Sequence, residues 1–574
     1  MDFYGRLYLG DIAKVVVCKW PEAKIRWMWH SFALLFFSIC FYARIPYYRI
    51  FNSGFNMMLI NGVHDDIYAT FITAVREYQL LVRLPLAIVT GLLLAYILKR
   101  ILAKGVLIDH IPAGKGVLYA VGTVIFIPVL CVFVRYGGAF RYDDSINWES
   151  AARTNSNLLN EAILDDGQAL YRVYHMKKKL HKVTNVNISP AKMRDYIALA
   201  GGRKDDATIT DAFMRQVAQP KLAVQPKNIV VVTGESFGLW PMLPKFQNLG
   251  LYNETLRLSK DVHSVSVGNM LSGGDGTISA VNALLTGLPA SGLFENYQPQ
   301  SFKGPYQTGI GYIMKQLGYK TVFWYGGFPG WQDLEKFASA QCFDEVHCAD
   351  EFGKNDGNAW GVHDEVLFAQ VEEYMAKQGD AKVFHLILTT SNHPPYSVDV
   401  EKAGFPKAAV ASKLPADIDN NEQMLKELGH LWYADKTVGA FVRIAEKTIP
   451  ATLFVITGDH SERFSFAKEQ DKKTTSALPC IFYGSMIAKQ ALGNLTVGCH
   501  MQLAGTLAEM VAPAGFTYSS LLPSMFAHVD VYNHKLYADK ENIGMLSERE
   551  DFGKVVAAQR KVAAWRVLKG DKIQ

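Results

Sequence analysis

At 574 residues the chain is too long for one domain, and a hydrophobic content of 49% leaves room for a membrane part. The net charge of +5 is mild for this length, and no basic cluster interleaves with aromatics, which argues against nucleic acid as a partner.

Apolar runs gather in the first quarter of the chain. Residues 27–43, 84–98 and 117–134 each come near the roughly 17–20 residues that span hydrocarbon. Trp27, Tyr47, Tyr48 and Tyr96 flank them as interfacial aromatics do, although a core hairpin is the soluble alternative for 84–98. Arg6, Lys14, Lys19, Lys24 and Arg26 precede the first run, and Lys99, Arg100, Lys104 and Lys115 separate the second from the third. Positive-inside reasoning puts the N-terminus in the cytoplasm and everything after Val134 outside. The expectation is a multi-pass plasma (inner) membrane protein with an extracytoplasmic catalytic part. Val15 to Val17 is too short for a signal-peptide core, so the first span serves as an uncleaved anchor.

Four segments follow from the pattern: a membrane domain with about three transmembrane helices at 1–135, a helical connector near the membrane surface at 136–225, a catalytic domain at 226–525 and a charged, helical C-terminal tail at 526–574. A helix is expected over 155–170. The Lys177–Lys179 run reads either as a contact to anionic headgroups or as a solvated helix face. From Asn228 onward, strands at 228–233, 320–325, 383–388, 452–457 and 478–483 alternate with helices such as 361–376 and 424–446, and a last helix covers 552–568. Such alternation predicts an α/β domain with a central, mostly parallel sheet. Of the seven cysteines, Cys342, Cys348, Cys480 and Cys499 fall outside, and sequence proximity pairs Cys342 with Cys348 and Cys480 with Cys499.

Three short segments carry the chemistry: Thr233-Gly234-Glu235-Ser236, Gly273-Gly274-Asp275-Gly276-Thr277 and Gly458-Asp459-His460. The first and third end apolar, β-branched runs, and the ends of strands are where open α/β sheets place ligands. Asp459 alone reads as a helix cap and His460 as a buried imidazole; Glu235 alone reads as a cap too. Together they supply two carboxylates, a hydroxyl and an imidazole, a set that suits a divalent cation such as Mn²⁺ or Zn²⁺. Thr277 precedes an apolar stretch that reads as a helix. A hydroxyl at a helix N-terminus beside a metal is placed to ionise and attack phosphorus or sulfur.

With NIVVVTGES, GGDGTISAVNALLTGLP, MKQLGYKTVFWYGG, WGVHDEVLF, TTSNHPPY and ITGDHSER, the stretch from about Asn228 to Pro523 resembles the sulfatase-type branch of the alkaline phosphatase superfamily. Within that branch it is most similar to the lipoteichoic acid synthase and phosphoglycerol transferase family. Upstream, RTNSNLLNEAI and FNMMLINGVHDDIYATFI resemble the connector and a membrane-part loop of those synthases. The resemblance implies that Glu235, Thr277, Asp459 and His460 hold one divalent metal, Mn²⁺ first with Zn²⁺ or Mg²⁺ as alternatives, and that Thr277 is the nucleophile. It implies that His393 contacts the phosphoryl headgroup and serves acid/base chemistry, with Trp331 and Arg463 also binding substrate. The implied donor is phosphatidylglycerol and the implied acceptor a glycan or glycerol-phosphate polymer. Phosphoethanolamine transfer and phosphodiester hydrolysis are the alternative activities within the superfamily. Two departures stand out. Gly330-Trp331-Gln332-Asp333 lacks the arginine of the synthases' Trp-Asn-Arg run, and three spans are counted where those synthases have five. The Cys/Ser-x-Pro-x-Arg run of true sulfatases is absent at Thr277–Val281.

Overall fold

The computed structural model describes residues 22–51, 54–56, 59, 75, 79–103, 125–126, 128–133, 140, 157–163, 165–183 and 188–573, apart from 275, 354–356, 359, 395, 417, 450, 462–470, 489–491 and 494. The chain divides into two units, Met1–Lys178 and Lys179–Gln574.

Two long apolar helices lie side by side in the first unit. In α1 (Glu22–Phe51) and α2 (Leu80–Ala103) the apolar stretches Trp27–Arg49 and Leu80–Ile101 contain 23 and 22 residues. At 1.5 Å per residue each covers about 33–35 Å, enough to cross hydrocarbon. Phe32, Phe41, Leu81 and Val89 are exposed on their outer faces. Where the helices meet, Ser38 Oγ donates to Ala87 O at 2.8 Å. A Cβ at Gly91 would lie 2.8 Å from Leu35 Cα, so glycine permits this close approach. The third expected span, 117–134, lies mostly outside the described residues; 128–133 within it are helical. In place of one helix over 155–170 there are two, Asn157–Ile163 and Asp166–Val183, and Arg44 of α1 pairs with Asp166 at 3.0 Å.

The second unit is built on a nine-stranded mixed sheet. Its strands are β1 (Asn228–Gly234), β2 (Ser264–Leu271), β3 (Lys320–Tyr325), β4 (Glu345–Cys348), β5 (Val383–Leu388), β6 (Thr452–Gly458), the short piece Ala477–Leu478, β7 (Cys480–Tyr483) and β8 (Leu495–Cys499). Across the sheet they run β8, β2, β7, β6, β1, β5, β3, β4. β1 lies parallel between β5 and β6, with Gly234 opposite Gly458. β3 is parallel to β4 and β5, and β8 to β2. β7 runs antiparallel to both β2 and β6, as does Ala477–Leu478 to β2. Two reversals restore the direction, so β2, β6, β1, β5, β3 and β8 all end at the same edge.

The central strands are apolar at nearly every position because helices cover both faces. Ile229, Val231, Leu453 and Val455 pack with Val281 and Leu284 of α4 (Thr277–Thr286). Val230, Val232, Phe454 and Ile456 pack on the other face with Leu367 of α5 (Asp364–Lys377) and Leu428 and Val438 of α6 (Glu422–Thr448). The helix expected from 361 starts at Asp364, because Gly361–Val362 pairs with Gly357–Asn358 as a short ribbon. The connector expected at 136–225 is divided, its residues from 179 on belonging to the second unit. There the helix α3 (Pro190–Leu199) places Met193 and Ile197 against Val562, Ala563 and Trp565 of α7 (Glu550–Lys569). Ahead of α7, three short strands, Val531–Tyr532, Leu536–Ala538 and Ile543–Met545, form a sheet of their own.

The expected disulfides do not form; all the described cysteines are free thiols. Thr321 Oγ1 donates to Cys342 O at 2.6 Å, whereas Cys348 lies opposite Tyr325, four positions further along β3. That spacing is about 13 Å, well past the roughly 7 Å Cα limit for a bridge. Cys499 pairs opposite Leu271 on one side of β2, while Ile481, next to Cys480, pairs opposite Ser266 on the other. Proximity in sequence failed as a guide because an extended strand carries the chain away at about 3.3 Å per residue.

Candidate active site

Three of the expected metal ligands, Glu235, Asp459 and His460, sit just past a strand end. β1 delivers Glu235 and β6 delivers Asp459 and His460, and Asp459 N–H donates to Gly234 O at 3.0 Å, tying the adjacent loops together. A Cβ at Gly458 would lie 2.2 Å from Phe237 O, so only glycine lets these two loops approach so closely. Ser236 adopts a left-handed φ of 50°, a strained geometry of the kind that concentrates at functional sites. Its N–H donates to Asp459 Oδ1 at 2.7 Å and its hydroxyl to Glu235 Oε1 at 2.8 Å.

Thr277 arrives from the loop after β2 as the first residue of α4, and Thr277 Oγ1 donates to Glu235 Oε2 at 3.1 Å. One oxygen of Glu235, one of Asp459 and one ring nitrogen of His460 lie within 4.8 Å of one another, and all three residues are buried. His460 Nε2 is 3.7 Å from both carboxylates. Among the described residues, Asp459 Oδ2 and both ring nitrogens of His460 are buried without a hydrogen-bond partner. Burial, then the Glu235 carboxylate beside it, push the Asp459 carboxyl above the ordinary range, against the opposing effect of His460. Two buried carboxylates and a buried imidazole, partly unsatisfied, with a half-buried hydroxyl beside them, are a donor set that fits a divalent cation.

The loop after β5 joins the same edge. Asn392 Nδ2 donates to Glu235 O at 3.1 Å and lies 3.4 Å from Ser236 O. Asp364, at the start of α5, accepts the amides of Thr390 and Ser391 at 3.2 and 3.0 Å, which fixes the turn that carries His393. His393 is half-buried under the Trp360 ring at 3.9 Å, and its Nδ1–H donates to Pro394 O at 2.6 Å. Trp331 leans on Tyr325 at the end of β3, ring centroids 5.8 Å apart. Asp333 is 2% exposed, and burial pushes its carboxyl up to about 6. Gln332 and Asp333 both have positive φ, and Asn296, whose Oδ1 accepts from Asn282 Nδ2 of α4, donates through Nδ2 to Gln332 O at 2.7 Å. Arg463 lies outside the described residues, as does Asp275.

Sequence reasoning missed Asn392 and His500. Asn392 lies inside the quoted TTSNHPPY segment and went unassigned. His500 directly follows β8, which LTVGC did not reveal as a strand. Once β8 is seen to end at the same edge as β1, β5 and β6, the strand-end rule covers His500 as well.

Residues 227–511 match the sequence model of the Sulfatase family. A comparison with curated proteins gives no match. Among solved structures, the chain is similar to a protein of the alkaline phosphatase superfamily from Vibrio parahaemolyticus, at 19% identity and TM-score 0.48, covering 66% of this chain and 95% of that one. The lipoteichoic acid synthase LtaP from Listeria monocytogenes follows at 15% identity and TM-score 0.48, with 65% and 96% covered. The lipooligosaccharide phosphoethanolamine transferase EptA from Neisseria meningitidis, an integral membrane protein, gives 14% identity and TM-score 0.40, with 87% and 86% covered.

Proposed function

We propose that the chain, whose residues 227–511 match the sequence model of the Sulfatase family, is a membrane-anchored, metal-dependent transferase. It moves a phosphoglycerol headgroup from phosphatidylglycerol to an extracytoplasmic glycan or polyglycerol-phosphate acceptor, through a phosphodiester on Thr277. The observation that carries this reading is the Thr277 hydroxyl, first residue of α4, donating to Glu235 Oε2 at 3.1 Å within the Glu235, Asp459 and His460 group. The helix pair α1 and α2 supports the membrane anchor, and the Lys and Arg residues flanking the apolar runs support an outer side for the catalytic domain.

Glu235, Thr277, Asp459 and His460 would hold one divalent cation, Mn²⁺ or otherwise Zn²⁺ or Mg²⁺, which supplies charge to ionise a hydroxyl and to neutralise phosphoryl oxygens. In the first step Thr277 Oγ bonds to phosphorus and the bond to the diacylglycerol oxygen breaks. Glu235, which accepts the hydroxyl hydrogen bond, lies on the path of the departing proton, and diacylglycerol leaves carrying a proton. In the second step an acceptor hydroxyl bonds to phosphorus, the Thr277 Oγ–P bond breaks, and Thr277 regains its proton. His393 moves the acceptor's proton. Its Nδ1–H is committed to Pro394 O, so Nε2 does that work, and Trp360 fixes the plane of the ring. α4 also directs its N-terminal dipole at the anion formed on Thr277.

A second reading, phosphoethanolamine transfer, is favoured by Asp333. Asp333 or Gln332 stands where the resemblance would put an arginine, and the Asp333 carboxylate is buried and leaves Oδ2 without a hydrogen-bond partner among the described residues. Full-length protein loaded with Mn²⁺ and mixed with phosphatidylglycerol and phosphatidylethanolamine vesicles distinguishes the two by intact mass and peptide mapping. A glycerophosphoryl adduct on Thr277 supports the first reading, and a phosphoethanolamine adduct moves the protein to the second. Headgroup release without adduct points to hydrolysis. A Thr277→Ala variant that released diacylglycerol at the wild-type rate would refute the nucleophile.

A further inference from the structure

One buried side chain joins the two halves of this site without belonging to either. His500, 1% exposed at the end of β8, accepts the Gly273 N–H on Nδ1 at 3.1 Å. Its Nε2 lies 3.0 Å from Gly458 O. An amide N–H can only donate and a carbonyl only accept, so the ring is the Nε2–H tautomer, committed at both ends. Gly273 opens the loop that delivers Thr277, and Gly458 is the residue before Asp459 and His460. β8 lies on one side of β2 and β6 two strands away on the other, with residues 477–483 paired between β2 and β6, so the imidazole adds a side-chain link directly between the two loops. Ser272 is a second, weaker joint. Its Oγ lies 2.6 Å from Asp459 O and 2.7 Å from Gly274 O, and its single proton serves one carbonyl at a time.

We propose that His500 is a positioning residue with two separable arms. The Nδ1 arm sets where Thr277 meets its substrate, and the Nε2 arm sets how Asp459 and His460 meet a divalent cation. This inference rests on the metal and nucleophile roles given above to the four residues, and it goes beyond them in assigning a fifth.

The two arms can be cut one at a time. In His500→Asn the carboxamide oxygen takes the place of Nδ1 and keeps the bond from Gly273. In His500→Gln the carboxamide nitrogen takes the place of Nε2 and keeps the bond to Gly458. His500→Phe fills the space and keeps neither. Full-length variants in detergent are compared for Mn²⁺ affinity by calorimetric titration of MnCl₂, for diacylglycerol release from phosphatidylglycerol mixed micelles at saturating Mn²⁺, and for melting temperature. The expected result is a split. The Asn variant binds Mn²⁺ at least tenfold more weakly with kcat at saturating Mn²⁺ reduced less than threefold, whereas the Gln variant, which releases one ligand of four, loses Mn²⁺ affinity less than threefold and loses kcat at least tenfold with KM unchanged. The Phe variant loses both. A Phe variant with wild-type constants would reduce His500 to a spacer and overturn the proposal, as would Asn and Gln variants that shift both constants together. If the variants fail to fold, amide exchange of the wild-type protein decides: Gly273 N–H should be protected like β6, and free exchange overturns the proposal. Wild-type protein that releases no diacylglycerol would sink the transferase reading alone, because the Mn²⁺ titrations and the Gly273 exchange still judge His500.

Discussion

The segment that follows His393 is latched by a histidine, and that latch predicts an acid-labile loop. His430 of α6 accepts the Val398 N–H on Nε2 at 3.0 Å, and its Nδ1–H donates to Lys426 O at 2.8 Å. Burial pushes its pKa down to about 4, against the opposing effect of the Lys426 carbonyl. The folded pKa is below the unfolded value of about 6.5, so the latch contributes fully above pH 6.5 and is lost as the pH falls toward 4. At pH 5 the unfolded ring is about 97% protonated and the folded ring about 10%, which costs the closed latch about 2 kcal/mol. Opening of the 396–400 segment should therefore rise roughly 20-fold between pH 7 and pH 5. Amide exchange at Val398, corrected for the intrinsic pH dependence, measures this directly. His430→Gln retains an acceptor for Val398 without a titrating group, and its exchange should be flat across the same range. Constant wild-type protection from pH 7 to 5, or an acid response that survives in the Gln variant, would refute the reasoning.

Three other outcomes follow from features of the fold. Gly458→Ala drives a Cβ to 2.2 Å from Phe237 O, so the loops after β1 and β6 must part; calorimetry should find Mn²⁺ affinity reduced at least tenfold in a protein that still folds. Alkylation of the unfolded, unreduced chain should modify Cys342, Cys348, Cys480 and Cys499 completely, and a disulfide-linked peptide joining any two would contradict the strand registers. Tyr171 and Tyr174 are exposed on the helix that Arg44 ties to α1, so full-length protein in nanodiscs containing a diazirine phosphatidylglycerol should acquire label within residues 166–178.

The parts of the fold legible in the sequence are those with one dominant signal. The runs NIVVVTG and TLFVITG carry four consecutive apolar residues followed by threonine, as strands covered on both faces do, and they mark β1 and β6 to within a residue or two. α6 and α7 were legible from their period. β2, SVSVGNML, was not legible: it mixes serine, glycine and asparagine with apolar residues, and its Asn269 is satisfied by Asp539 O from a chain segment far away. The same distance hid the partnership of α3 with α7, whose faces find each other only in the folded unit. In the site, Glu235, Thr277, Asp459 and His460 were readable because each follows a strand or opens a helix. Asn392 and His500 act through hydrogen bonds to backbone atoms, and no residue type or spacing announces such a bond.

The stitching of the second unit's early and late segments bears on its synthesis. Met214–Gln216 pairs antiparallel with Thr517–Ser519, Ile573 N–H donates to Ala207 O at 3.0 Å, and Gln559 reaches Ala200 O at 3.3 Å. A chain made from its N-terminus therefore exposes the α7-facing side of Met193 and Ile197 for some 350 residues before Val562, Ala563 and Trp565 emerge. At about 5–20 residues per second that wait is tens of seconds, far longer than helix formation or local collapse. The unit cannot close progressively as it leaves a ribosome or a translocation pore. It closes late and all at once, so a truncation that removes only α7 strands the opening segment as a sticky surface and makes the whole unit a substrate for proteolysis.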